Sequence, residues 1–190
     1  MELIGIFFIA CGLLILAGVA KGARPDDTAR ALVLLVPTRL QKVVPFKVAR
    51  QSVRVGALIE VAIGAVALFF PRPATAAMVA VSYALFGCIV AYARRHGGSL
   101  STCGCFGRSD TPATGLHLVL NVVFLAAAVS LALHPPHPAE FGQLLGAQPW
   151  SGLPLLLAAG VGVWLAYLAL SPLSALEAAR RLVGQPHEKA

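Results

Sequence analysis

Leu3-Ile-Gly-Ile-Phe-Phe-Ile-Ala-Cys-Gly-Leu-Leu-Ile-Leu-Ala-Gly-Val-Ala20 is uninterrupted hydrocarbon, bounded by Glu2 and Lys21. A run of this length crosses a hydrocarbon core of roughly 30 Å as a helix. Val53–Phe70, Ala74–Ala93, Leu116–Leu133 and Leu153–Leu170 repeat the signal. In lipid the backbone must satisfy itself, and none of these runs alternates as a barrel strand does, so helices are predicted throughout. The fold class is all-α: an integral membrane helical bundle with a four-helix core and a fifth transmembrane helix. With 58% hydrophobic and 12% charged residues and a mean hydropathy of +0.80 over 190 residues, there is no room for a second, soluble domain. The chain divides into a membrane core over 3–133, an outer loop and fifth helix over 134–170, and a tail over 171–190.

The net charge of +7 raises nucleic acid as a partner, but its placement argues for lipid instead. Eight Lys/Arg lie from Lys21 to Arg54, three from Arg94 to Arg108, three from Arg180 to Lys189, and Arg72 alone falls on the other side. By the positive-inside rule the N-terminus is outside, while the first and third loops and the C-terminus are cytoplasmic. The basic excess then reads as topology and attraction to anionic lipid, not as a nucleic-acid footprint. The first run has no basic residue ahead of it and Lys21 and Arg24 behind it, so it reads as an anchor rather than a cleavable signal.

Between the runs, Pro25-Asp26-Asp27-Thr28 turns the chain and offers caps to a short helix, and Ala29–Val36 is too short to span. Pro45 suits the start of the next helix, whose Lys47, Arg50 and Arg54 share one face as a solvated collar. Gly12 and Gly18 allow close helix approach in the first run. The pair His134 and His137 lacks further ligands nearby, so no metal site is expected. The fifth run has no buried polar group and reads as a peripheral support.

Polar groups inside the runs are the functional candidates. Glu60 sits well inside the second run, where an ionisable group costs several kcal/mol unless paired or neutral. Glu60, Cys88 and Asn121 each lie about seven residues, roughly 10 Å, from the cytoplasmic edge, so three helices place a carboxyl, a thiol and an amide in one layer. All three are expected to face the bundle interior, with Glu60 protonated or hydrogen-bonded across helices to Asn121, Tyr83 or Ser82. Cys11 lies slightly deeper and reads first as a small apolar core residue.

Below that layer, Cys103-Gly104-Cys105-Phe106-Gly107 sets two thiols in a short polar loop. A single intervening residue closes only a strained disulfide ring, and strain makes a disulfide more oxidising. Gly104 gives the freedom closure needs. Arg108 and the next helix's N-terminus favour the attacking thiolate. Two soft ligands are too few for zinc. The pair therefore points to a thiol–disulfide oxidoreductase, with Cys88 or Cys11 as candidates to receive the electrons. The competing readings are two structural thiols in a non-catalytic scaffold or assembly factor, and a transporter of a small thiol or metal.

Three segments carry a family resemblance: Leu16-Ala-Gly-Val-Ala-Lys21, Leu58-Ile-Glu-Val-Ala-Ile-Gly64 and the Cys103–Gly107 loop ahead of the fourth run. Over about Leu3 to Leu133 the chain resembles the methylamine utilisation protein MauE family and the wider DoxX-like membrane proteins. Members often carry Arg-Asn in the fourth helix, where this chain has Leu120-Asn121. The resemblance implies a bacterial plasma-membrane protein that supports disulfide formation or thiol redox beside a thioredoxin-like partner or a disulfide-bearing client, as in methylamine utilisation. It also implies a fold similar to vitamin K epoxide reductase-type bundles, which exchange electrons with quinones. On this reading Cys103, Cys105, Cys88 and Glu60 are the catalytic candidates, and Cys11, Tyr83 and Asn121 line the bundle where a cofactor would sit.

Overall fold

The computed structural model describes residues 2–35, 45–96, 115–135 and 153–170. Among them are six helices: α1 (Glu2–Ala23), α2 (Pro25–Leu35), α3 (Phe46–Phe69), α4 (Pro73–His96), α5 (Gly115–Leu133) and α6 (Leu153–Leu170). α1, α3, α4 and α5 are long and apolar enough to cross a membrane. The all-α membrane bundle expected from hydropathy is the observed fold.

Local chemistry sets the helix ends. Pro25 opens α2 with Asp26 and Asp27 in its first turn, where carboxylates oppose the positive end of the helix dipole. Pro45 is extended and immediately precedes α3. Pro71 disfavours helical backbone at Phe70 and so ends α3, and Pro73 restarts the chain as the first residue of α4. The Arg72 backbone N–H donates to the Phe70 carbonyl at 2.8 Å, and the Thr75 hydroxyl reinforces the turn by accepting the same N–H at 3.0 Å and donating to that carbonyl at 2.8 Å.

α1 is the central helix, and α3, α5 and α6 all pack on it. Its crossing with α3 is antiparallel and close. A Cβ at Gly18 would stand 2.7 Å from the Ala57 carbonyl oxygen, and one at Gly64 would stand 2.9 Å from that of Cys11. Gly12 meets Val163 and Gly162 meets Ile9, so α6 seats against α1 through reciprocal glycine contacts. The core is built from Phe7, Cys11 and Leu14 of α1, Ala67 of α3, Val79 and Tyr83 of α4, Phe124 of α5 and Leu170 of α6. Outward-facing residues are apolar as well: Leu58 is 71% and Phe69 73% exposed, as a lipid-facing surface requires.

α2 packs Ala29 against Ala49 and Val53 of α3, beyond the end of α1. Arg50 stands 2.8 Å from Asp26 with both side chains nearly half exposed, so this ion pair is worth at most about 1 kcal/mol.

Candidate functional site

Lys21 is 7% exposed. Its Nζ donates to both carboxylate oxygens of Glu60, at 2.7 and 2.8 Å. The helix geometry explains the meeting. Side chains lean toward the N-terminus of their own helix, so Lys21 leans deeper into the bundle and Glu60, on an antiparallel helix, leans back toward the end of α1. Gly18 and Ala57 leave no bulk between them. The ammonium also lies 4.3 Å from the centroid of the Phe86 ring, a cation–π contact from α4. An isolated charge at this depth would be costly, and here each charge has its counterion.

The expected partners of Glu60 are therefore corrected. The Tyr83 hydroxyl donates to the Ala10 carbonyl at 2.7 Å, which ties α4 to α1. Ser82 donates to Met78 and Asn121 Nδ2 to the His117 carbonyl, each one turn back on its own helix. Hydroxyl and amide groups in lipid-embedded helices readily satisfy themselves on that preceding carbonyl, and Lys21 offers Glu60 a full charge. The single interior layer is corrected too: Cys88 is exposed while Cys11 is fully buried. Depth placed Cys88 level with Glu60, but the rotation of α4 turns it away from the core. Cys103, Cys105, Arg108 and His137 lie outside the described residues.

Sequence reasoning missed two members. Lys21 enters the positive-inside count as one of the cytoplasmic basic residues, although it lies one turn beyond Gly18 on the buried face. His117, 2% exposed, lies one turn before Asn121 on the same face of α5, and its side chain hydrogen-bonds the Leu170 backbone. Leu170 thus brings the end of α6 into the site, a larger part than a peripheral support plays.

Two spaces flank the ion pair. The inner one, about 40 Å³, is walled by leucines and by Phe86 and Phe124, with Lys21, Tyr83, His117 and Asn121 as its polar members. At ~10–15 Å³ per water it holds a few waters at most. The outer one is an apolar groove of about 450 Å³ between α3 and α4, lined by Ile59, Glu60 and Ile63 on one side and Val81, Ser82 and Phe86 on the other. A ring-sized head group fits the groove, whose volume falls in the ordinary range for small-molecule sites, and does not fit the inner space. Tyr83 and Asn121, expected to line a cofactor site, line the small inner cavity.

Fold and site together define a polytopic helical membrane protein with a buried lysine–carboxylate pair at one end of the bundle. Residues 2–134 match the family model of the methylamine utilisation protein MauE, and the chain belongs to that family. The match takes in α1 to α5 and leaves α6 outside it. No curated protein and no solved structure matches the chain.

Proposed function

We propose that this protein is a membrane thiol–disulfide redox protein of the plasma membrane, exchanging disulfides through Cys103 and Cys105 with a thioredoxin-like partner or a disulfide-bearing client. One observation carries the reading. The helices that bracket the cysteines meet where the Arg94 guanidinium lies over Gly115, two residues before the buried His117. The described residues that flank the thiol-bearing stretch, Arg94 and Gly115, thus stand together beside the buried polar cluster. In the exchange, one thiolate attacks the partner's disulfide and a mixed disulfide forms as the partner's S–S bond breaks. The second thiol then resolves it, leaving the pair oxidised and the partner reduced. The reverse direction oxidises the client. A quinone would take the α3–α4 groove, where Glu60 and Ser82 are the polar groups that would hold its oxygens. Its chemistry would be to take up the electrons. The charge distribution supports a cytoplasmic cysteine segment and an outside N-terminus.

The test is to trap mixed disulfides with Cys103→Ser and Cys105→Ser variants of the full chain and to identify the captured protein by mass spectrometry. One of the two variants should hold a covalent partner that reductant releases. A protein whose double serine variant still complements a deletion strain, and which captures nothing, is a scaffold.

A further inference from the structure

Phe86 lines both the inner cavity and the outer groove, but the two charges beside it divide between them. Lys21 belongs to the cavity and Glu60 to the groove. The ion pair is therefore the partition between a small, mostly apolar-walled cavity at the end of the bundle, into which Lys21, Tyr83, His117 and Asn121 bring polar groups, and an apolar groove that faces lipid. Ionisable residues inside a membrane pair with one another and mark ion pathways and proton relays, and each member of this pair can hold a proton. Both N–H···O contacts are already at hydrogen-bond length, so a proton can pass along either without movement of the helices.

We propose that Lys21 and Glu60 form a proton-transfer pair that carries a proton between the inner cavity and a weakly acidic hydroxyl on an apolar ring or tail in the α3–α4 groove. The occupant follows from the lining. The groove is hydrocarbon and aromatic apart from the Glu60 carboxylate and the Ser82 hydroxyl, so it takes an apolar body whose one polar group can exchange a proton with a carboxylate. In the step, an Nζ–H bond of Lys21 breaks and an Oε–H bond of Glu60 forms, leaving neutral amine and neutral acid. The amine regains a proton delivered to the cavity from the aqueous side, and Glu60 gives its proton to the deprotonated oxygen of the occupant, which becomes the neutral hydroxyl while the pair returns to ammonium and carboxylate. The return runs the other way, and no electron moves. The other titratable side chains around the route are Tyr83 from α4 and His117 from α5. α6 contributes the apolar Leu170. The assignment does not rest on Cys103 or Cys105.

The experiment is solid-state NMR of the full chain in lipid bilayers, with isotope-labelled lysine and glutamate assigned through Lys21→Met and Glu60→Gln. At neutral pH, amine-like and ammonium-like signals of Lys21 should interconvert in step with acid-like and carboxylate-like signals of Glu60. Solvent deuterium should reach Lys21 at least tenfold more slowly in Asn121→Phe, which puts a ring into the cavity, with Leu120→Phe as the second variant where the first does not fold. A long-chain phenol added as the probe should shift the Glu60 carboxyl signal, and Ala77→Phe, which fills the groove, should abolish that shift. The proposal is overturned if Lys21 stays an ammonium and Glu60 a carboxylate wherever the protein is folded. It is equally overturned if blocking the cavity leaves deuterium exchange unchanged, or if the phenol does not move the Glu60 signal.

Discussion

Lys21→Met tests whether the buried pair holds the α1–α3 crossing together. Methionine keeps the unbranched stem and removes only the ammonium. Glu60 then loses both of its hydrogen bonds from Lys21, 2.7 and 2.8 Å, while its side chain stays 15% exposed. Removing one partner of a buried ion pair costs about 3–5 kcal/mol, because the other charge is left without compensation. A carboxyl in lipid can take up a proton instead, which limits the loss, so the expected cost is near the lower end, about 3 kcal/mol. The double variant Lys21→Met/Glu60→Leu has no charge to strand, and apolar replacement of a buried pair is commonly neutral or better. It should therefore recover most of the stability lost in Lys21→Met. The assay is reversible unfolding in mixed micelles by titration with denaturing detergent, followed by circular dichroism. A Lys21→Met protein within about 0.5 kcal/mol of the parent would refute the reasoning, since that is the range of a surface substitution. So would a double variant no more stable than Lys21→Met.

The same assay reads two further outcomes. Gly18→Ala and Gly64→Ala push a methyl against the backbone of the opposing helix and should each cost about 1–3 kcal/mol, whereas Gly5→Ala and Gly56→Ala meet nothing within 4 Å and should be neutral or mildly stabilising. Tyr83→Phe removes the bond to Ala10 and should cost about 0.6 kcal/mol, the mean for hydrogen bonds between membrane helices, while Cys88→Ala, at an exposed position, should fall within about 0.5 kcal/mol of the parent.

The spans were legible because hydropathy alone sets them: a helix in lipid must be long and apolar wherever it faces hydrocarbon. Rotation about each helix axis was not read, and it decides the site. Depth put Cys88 in the layer of Glu60, yet the buried face of α4 runs through Val79, Tyr83 and Val90. Cys88 is two residues from Val90, roughly 200° around the helix, so it points the opposite way. Cys103 and Cys105 are legible only as chemistry, since no periodicity orients a loop.

A finer reading of the same sequence reaches the ion pair. Phe7, Cys11, Leu14, Gly18 and Lys21 follow one another at steps of four and three on α1, and Val53, Ala57, Glu60, Gly64 and Ala67 do the same on α3. Two antiparallel stripes with this spacing pack face to face at a shallow angle, and their small residues set the point of closest approach. Gly18 opposite Ala57 and Gly64 opposite Cys11 fix the register. In that register Lys21 and Glu60 lie within one side-chain length of each other. The positive-inside rule, which takes Lys21 as one of the cytoplasmic charges, counts charges by position along the chain and ignores the face they occupy. A lysine in phase with a glycine-containing core stripe is instead committed to the interior, and the glutamate in phase on the opposing stripe is its counterion. Helix phase, taken before charge counting, separates the basic residues that orient a membrane protein from the one that is built into its site.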